Sequence, residues 1–222
     1  MTEDSIARRL EAVRSTLRDG VKLCAVSKFH PVEALREAYE AGQRVFGESR
    51  VMELLDKEAQ LPSDIEWHFI GHLQTNKVRK LIGRTAMIES VDSERLLRLI
   101  DAESERAGVT TRVLMQVHVA MEETKFGMSP DELIEFFARG GHRSLRATHI
   151  CGIMGMASNV DNPERWKADF RAIADTARAI REAAPDLRGF DTVSMGMSHD
   201  YREAMECGAT LVRVGSAIFG AR

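Results

Sequence analysis

The sequence predicts an α/β fold in which about eight βα units close into a single TIM-like (β/α)8 barrel with an extra N-terminal helix. Three observations carry that expectation. Short apolar, β-branched runs recur at 21–27, 44–46, 66–71, 86–91, 112–119, 145–153, 190–195 and 210–214, several with the near-continuous apolar character of strands buried on both faces. Segments of helical period separate these runs, which is the rhythm of parallel strands with crossover helices. No G-x-G-x-x-G follows the first run, so the alternative, an open doubly wound sheet around a dinucleotide, has less support.

The elements follow in order. A helix over about 3–18 precedes the first strand. Pro31 starts a helix that Gly42 can end. Ser129-Pro130-Asp131-Glu132 is a capping box: the Ser129 hydroxyl accepts an orphan N–H, Glu132 reaches back, and Pro130 occupies a position where its missing N–H costs nothing. Gly140-Gly141 reads as a loop. Asn162-Pro163 opens another helix, with Trp166, Phe170, Ile173, Ala177 and Ile180 at helical spacing. Gly208 can end the helix that carries Tyr201, Ala204 and Met205. These units are expected to use all of 1–222 as one domain, with nothing left for a second.

Composition narrows the classes. Lys plus Arg number 31 against 34 Asp plus Glu, a formal charge of −3, which gives no support to general polyanion binding; no nucleic-acid partner is expected. No run approaches the ~18 apolar residues of a membrane span, and the N-terminus lacks the apolar stretch of a secretory signal. The three cysteines, Cys24, Cys151 and Cys207, are far apart and form no C-x-x-C pair, so neither a disulfide framework nor a zinc knuckle is expected. Together these features point to a cytoplasmic setting. Nothing demands a dimer, and a monomer is expected.

In such a barrel, functional groups gather where strands end. Lys28 ends the first run; its plain reading is a solvated lysine, its sharper one an amine that forms a Schiff base with an aldehyde. After the seventh run, Ser194-Met195-Gly196-Met197-Ser198 offers a glycine for close backbone approach and a serine able to cap the following helix. After the eighth, Arg213 is followed by Gly215-Ser216. The loops after strands 7 and 8 are the usual phosphate cradle of these barrels, so two Gly/Ser turns there carry more weight together than either alone. His72 is placed as a mouth residue. His68 and His72 are four apart, but on a strand end that spacing separates them, and no metal site is expected. Gly47-Glu48-Ser49 reads as a βα turn, and Lys77, Arg79, Lys80 and Arg84 as a solvated basic patch.

A Schiff-base lysine, a phosphate cradle and an arginine in one mouth suggest a phosphorylated aldehyde, pyridoxal 5′-phosphate (PLP), as cofactor. An arginine facing the pyridine nitrogen keeps it unprotonated, a poorer electron sink than one paired with a carboxylate.

The motifs AVSK at 25–28, FGE at 46–48, WHFIGHLQTNK at 67–77, SMGMSHD at 194–200 and VRVGSAIFG at 212–220 resemble the pyridoxal phosphate homeostasis proteins, relatives of the barrel domain of alanine racemase. The resemblance spans about 21–220. It implies a PLP-binding barrel with the cofactor held as a Schiff base on Lys28. Ser198, Gly215 and Ser216 would contact phosphate, Arg213 would face the pyridine nitrogen, and His72 and Met154 would line the mouth. The same turns bring in Ser49, Ser194 and Gly196 as cofactor-site candidates. It further implies a role in intracellular PLP homeostasis, with PLP-dependent apoenzymes as candidate acceptors and no accepted reaction. A racemase-like enzyme and a Schiff-base aldolase are the alternatives. The chain departs from the family at Ser49 and Arg50, where Asn-Tyr is usual, at Ser216, usually threonine, and after Met154, where a proline is usual.

Overall fold

Eight parallel strands pair in chain order, and the last pairs back onto the first, closing the sheet into a barrel. The computed structural model describes residues 5–122 and 126–220. The strands are β1 (Lys22–Val26), β2 (Val45–Glu48), β3 (Glu66–Phe69), β4 (Met87–Val91), β5 (Thr111–Gln116), β6 (Thr148–Met154), β7 (Thr192–Ser194) and β8 (Leu211–Val214). A helix follows each: α2 (Val32–Glu40), α3 (Val51–Glu58), α4 (Val78–Leu81), α5 (Glu94–Ala107), α6 (Pro130–Ala138), α7 (Pro163–Ala183), α8 (Tyr201–Glu206) and α9 (Ser216–Phe219). Ahead of them, α1 (Ile6–Arg14) packs on α2 and α9, and Arg9 Nε donates to the Ile218 carbonyl at 2.7 Å.

The period of two along each strand divides the core. Leu23, Ala25, Trp67, Phe69, Val212 and Val214 face outward and join the helices in one large apolar cluster. The alternate residues face the barrel axis. A small inner cluster of Met87, Leu114, Cys151 and Met154 fills its waist. Above and below that waist lie two polar cavities. Val26 and Lys28 reach the upper one and Lys22 the lower, so the two ends of β1 serve opposite ends of the barrel.

Local signals act as expected at most ends. The Ser129–Glu132 capping box forms in full, and Asn162 caps α7 by accepting from the Glu164 and Arg165 N–H groups. The first helix is shorter than 3–18. The Ser15 and Thr16 hydroxyls donate back to the Ala12 and Val13 carbonyls and end it; residues 1–4 lie outside the described chain. The run 112–119 contributes Thr111–Gln116, and Val117 only an isolated bridge to Met128. The Gly140-Gly141 loop leads into a short 3-10 turn at Gly141–Ser144. No helix among the described residues is long and apolar enough to cross a membrane.

Candidate functional site

The upper cavity opens where the strands end. Its volume of ≈ 370 Å³ suits a small ligand. Lys28 comes to its wall two residues beyond β1, half-buried, and Arg213 comes from β8, which pairs with β1 in the register Cys24 to Arg213. Ser198, Gly215 and Ser216 form one side, and Met154 lines it from the end of β6.

The turn after β7 is built by Gly196, whose φ of 92° lies in the left-handed region. A Cβ there would sit 2.6 Å from Ala204 Cβ and 2.8 Å from Tyr201 Cα, so glycine also lets the turn lie against α8. Ser198 does not cap that helix, contrary to the sequence expectation. The N-cap of α8 is Asp200, and the Ser198 hydroxyl instead accepts from the N–H groups of Gly215 at 3.0 Å and Ala217 at 3.4 Å. The local cap loses because the turn aims Ser198 across to the start of α9, just past β8, where two N–H groups lack helical partners. Asp200 takes the Met197 N–H at 2.5 Å; burial pushes its carboxyl up, an effect that hydrogen bond and nearby His199 and Arg213 only partly offset.

Arg213 is buried and tightly held. One terminal nitrogen donates to Ser194 Oγ at 2.7 Å, the other to the Gly155 carbonyl at 3.0 Å. Ser194 Oγ in turn lies 2.5 Å from Glu89 Oε2, and Glu89 Oε1 lies 2.6 Å from His68 Nδ1. Burial pushes the Glu89 carboxyl up, but the hydrogen bond and charge of His68, with Arg213 and Ser194, hold it below the usual carboxylate range. Burial also pushes the Cys24 thiol up, with Glu89 adding to the effect.

The other sequence candidates divide. Ser194 sits behind the cavity, fully buried, as the bridge between Arg213 and Glu89. Gly196 shapes the turn without lining the cavity. Ser49 is not in the lining; its backbone packs against Gly71, where a Cβ would overlap it. His72 also stands outside, about half-exposed, with Nδ1 3.0 Å from Asp92 Oδ2 and its ring stacked on Phe126 at 3.9 Å between centroids. β3 ends at Phe69; Ile70, next along, still reaches the cavity, whereas His72, beyond Gly71, is not in its lining.

Several lining residues escaped the sequence reading: His30, Met156, Met197 and His199. His30 stacks on Phe219 at 5.1 Å, joining the loop after Lys28 to α9. The signal for His30 was its spacing of two from Lys28. Glu89 was also legible in principle, as a lone carboxylate in the apolar run 86–91. Neither tyrosine lines the cavity: the Tyr39 hydroxyl donates to Asp64, and that of Tyr201 pairs with Thr16.

The closed barrel with a lysine and a buried arginine facing one polar mouth defines a class. The family model described as "Alanine racemase, N-terminal domain" matches residues 1–222. Alanine racemase from Clostridium difficile 630 superposes with a TM-score of 0.78 at 15% identity, over 99% of this chain and 57% of that one, a likeness of fold. Nearer relatives are more specific. The pyridoxal phosphate homeostasis protein of Aquifex aeolicus is 40% identical over 90% of this chain and 87% of its own. That of Schizosaccharomyces pombe is 38% identical over 96% and 91%. PipY of Synechococcus elongatus PCC7942, solved with PLP bound, superposes with a TM-score of 0.90 at 38% identity, over 97% of this chain and 100% of that one. The chain belongs to the pyridoxal phosphate homeostasis protein family.

Proposed function

We propose that this protein binds PLP in the upper cavity, as a Schiff base on Lys28, and holds it for transfer to PLP-dependent apoenzymes in the cytoplasm. The observation that carries the reading is the convergence of Lys28, Arg213 and the Ser198–Gly215–Ser216 turns on one cavity. The relatives named for PLP homeostasis, and PipY with PLP bound, support it.

The residues present fit the group. The Ser198 hydroxyl accepts from the Gly215 and Ala217 N–H groups, which leaves its own proton as a donor at the cavity wall beside Ser216, polar groups that suit a phosphate. A Cβ at Gly215 would lie 3.1 Å from the Val26 carbonyl and 3.2 Å from Val26 Cβ, so the bare backbone leaves the cavity edge clear. Arg213, always charged, presents only donors and suits an unprotonated pyridine nitrogen. Bound PLP supplies an aldehyde for the lysine and, with its ring nitrogen unprotonated, a weak electron sink. Lys28 would provide the attaching amine, the turns would hold the phosphate, and Met154 and Met156, which line the cavity, would supply apolar surface for the ring.

Two-base racemisation receives no tyrosine from this chain at the cavity, since both hydroxyls are engaged elsewhere. Holding the cofactor is therefore the reading the geometry favours.

The test is borohydride reduction of the protein with PLP, followed by peptide mass mapping. The adduct is expected on Lys28 and absent in Lys28→Ala. An adduct confined to other lysines, or none, overturns the proposal.

A further inference from the structure

We propose that Glu89 is a positioning residue for the cofactor site, orienting Arg213 through Ser194 and setting the charge that Arg213 presents to the cavity; this rests on the PLP reading above. Arg213, Ser194, Glu89 and His68 come from four strands and form one chain of contacts along the barrel interior. All four are at least nine-tenths buried.

The direction of each hydrogen bond follows from chemistry. Arg213 can only donate, so Ser194 Oγ accepts from it. The Ser194 proton is then free for the ionised Glu89 carboxylate, which can only accept. The second Glu89 oxygen accepts from His68 Nδ1–H. Both carboxylate oxygens are thus committed, and the Arg213 plane is pinned at two nitrogens, by Ser194 and by the Gly155 carbonyl.

Charge follows as well. Arg213 Nη1 lies 3.9 Å from Glu89 Oε2, so the carboxylate offsets the guanidinium at close range in a dry interior. The mouth of the cavity sees a paired arginine. Removing the carboxylate charge leaves one more net positive charge at the cavity wall. The His68 side chain lines the lower cavity, ≈ 290 Å³ in volume, at the opposite end of the barrel.

Other titratable groups surround this chain. Cys24 on β1 lies beside His68 and Glu89, and Asp200 at the start of α8 interacts with Arg213. Lys22, Glu66, Arg112 and Asp191 face the lower cavity, and Lys28, His30 and His199 the upper. None is altered by the substitutions below, so a difference between variants isolates the network.

The experiment is a spectrophotometric pH titration of the PLP-loaded protein, with melting temperatures measured in parallel. Glu89→Gln keeps the shape and removes the charge. A protonated Schiff base is disfavoured by added positive charge, so its absorbance midpoint is expected to move about one unit toward lower pH. Glu89→Asp, which keeps the charge, is expected to return the midpoint toward that of the wild type. Ser194→Ala deletes only the bridge and is expected to weaken PLP binding about fivefold with the midpoint little moved. It serves as the independent variant if Glu89→Gln does not fold. A lower melting temperature with an unmoved midpoint in Glu89→Gln means a purely structural role and overturns the proposal. So does unchanged PLP affinity in Ser194→Ala. Absence of Schiff-base absorbance in the wild type overturns the cofactor reading and this one together; its presence with the failures just named overturns this one alone.

Discussion

Arg213 Nη1 and Glu89 Oε2 stand 3.9 Å apart inside the barrel, both residues buried, with the Ser194 hydroxyl bridging them. A charge so placed is stable only while its partner remains. Arg213→Met is expected to destabilise the fold by about 3 kcal/mol, because it leaves Glu89 with His68 alone to balance it. Arg213→Lys keeps a charge but cannot engage Ser194 and Gly155 in one plane, so it is expected to recover only part of that loss. Urea denaturation of the three proteins checks the order.

Gly196 couples the site to the fold. Gly196→Ala imposes a left-handed φ on a side-chain residue and drives its Cβ into Ala204 and Tyr201. A loss of about 3 kcal/mol is expected from strain and overpacking together. Relief of the overlap must move either α8 or the turn carrying Met197 and Ser198. PLP affinity is therefore expected to fall in the same variant, which equilibrium titration measures.

A second buried charge cluster lies behind Lys28. Lys57 Nζ donates to the Ser27 carbonyl at 2.8 Å, to Glu48 at 2.8 Å and to Glu53 at 2.7 Å. Glu48 is fully buried; its Oε1 accepts from Lys57 and from the Ser27 hydroxyl at 2.6 Å, its Oε2 has no hydrogen-bond partner, and Lys57 is the cation paired with it. Lys57→Met is expected to cost about 4 kcal/mol by stranding that carboxylate. Because Ser27 adjoins Lys28, weakened PLP retention is expected alongside the lower denaturation midpoint.

The barrel was legible because buried parallel strands are written as apolar runs, such as Leu23 to Val26, and because caps such as Ser129 with Glu132 act within one turn of chain. Lys28, Ser198, Arg213, Gly215 and Ser216 were legible as cavity residues because the fold fixes where strands end, and Met154 through the family resemblance. What escaped depends on closure of the sheet. Glu89 meets His68 from the adjacent strand and Ser194 from β7, contacts that no local pattern encodes. Ser198 had a local use as a helix cap and a distant one at the start of α9, and the distant one prevailed. His72 lies three residues past the end of β3, where strand alternation no longer sets direction, and its side chain turns to Asp92 rather than to the cavity.

The two buried carboxylates, Glu48 and Glu89, are expected to shape pH dependence in opposite directions. For Glu48, burial raises the folded-state pKa, an effect that Lys57 and Ser27 reduce without cancelling. The folded state then holds its proton more tightly than the unfolded chain, so this group lowers stability as pH rises from about 4.5 through its folded value. Glu89 is depressed: burial is outweighed by His68, Arg213 and Ser194. Its contribution is complete above the unfolded carboxylate pKa and is lost as pH falls from there through the folded value. Relative to the wild type, Glu48→Gln is therefore expected to gain stability as pH rises from about 4 to about 7, and Glu89→Gln to lose it. Urea denaturation of the three proteins across that interval gives both slopes. Parallel curves for the two variants would mean that neither carboxylate changes its proton affinity on folding.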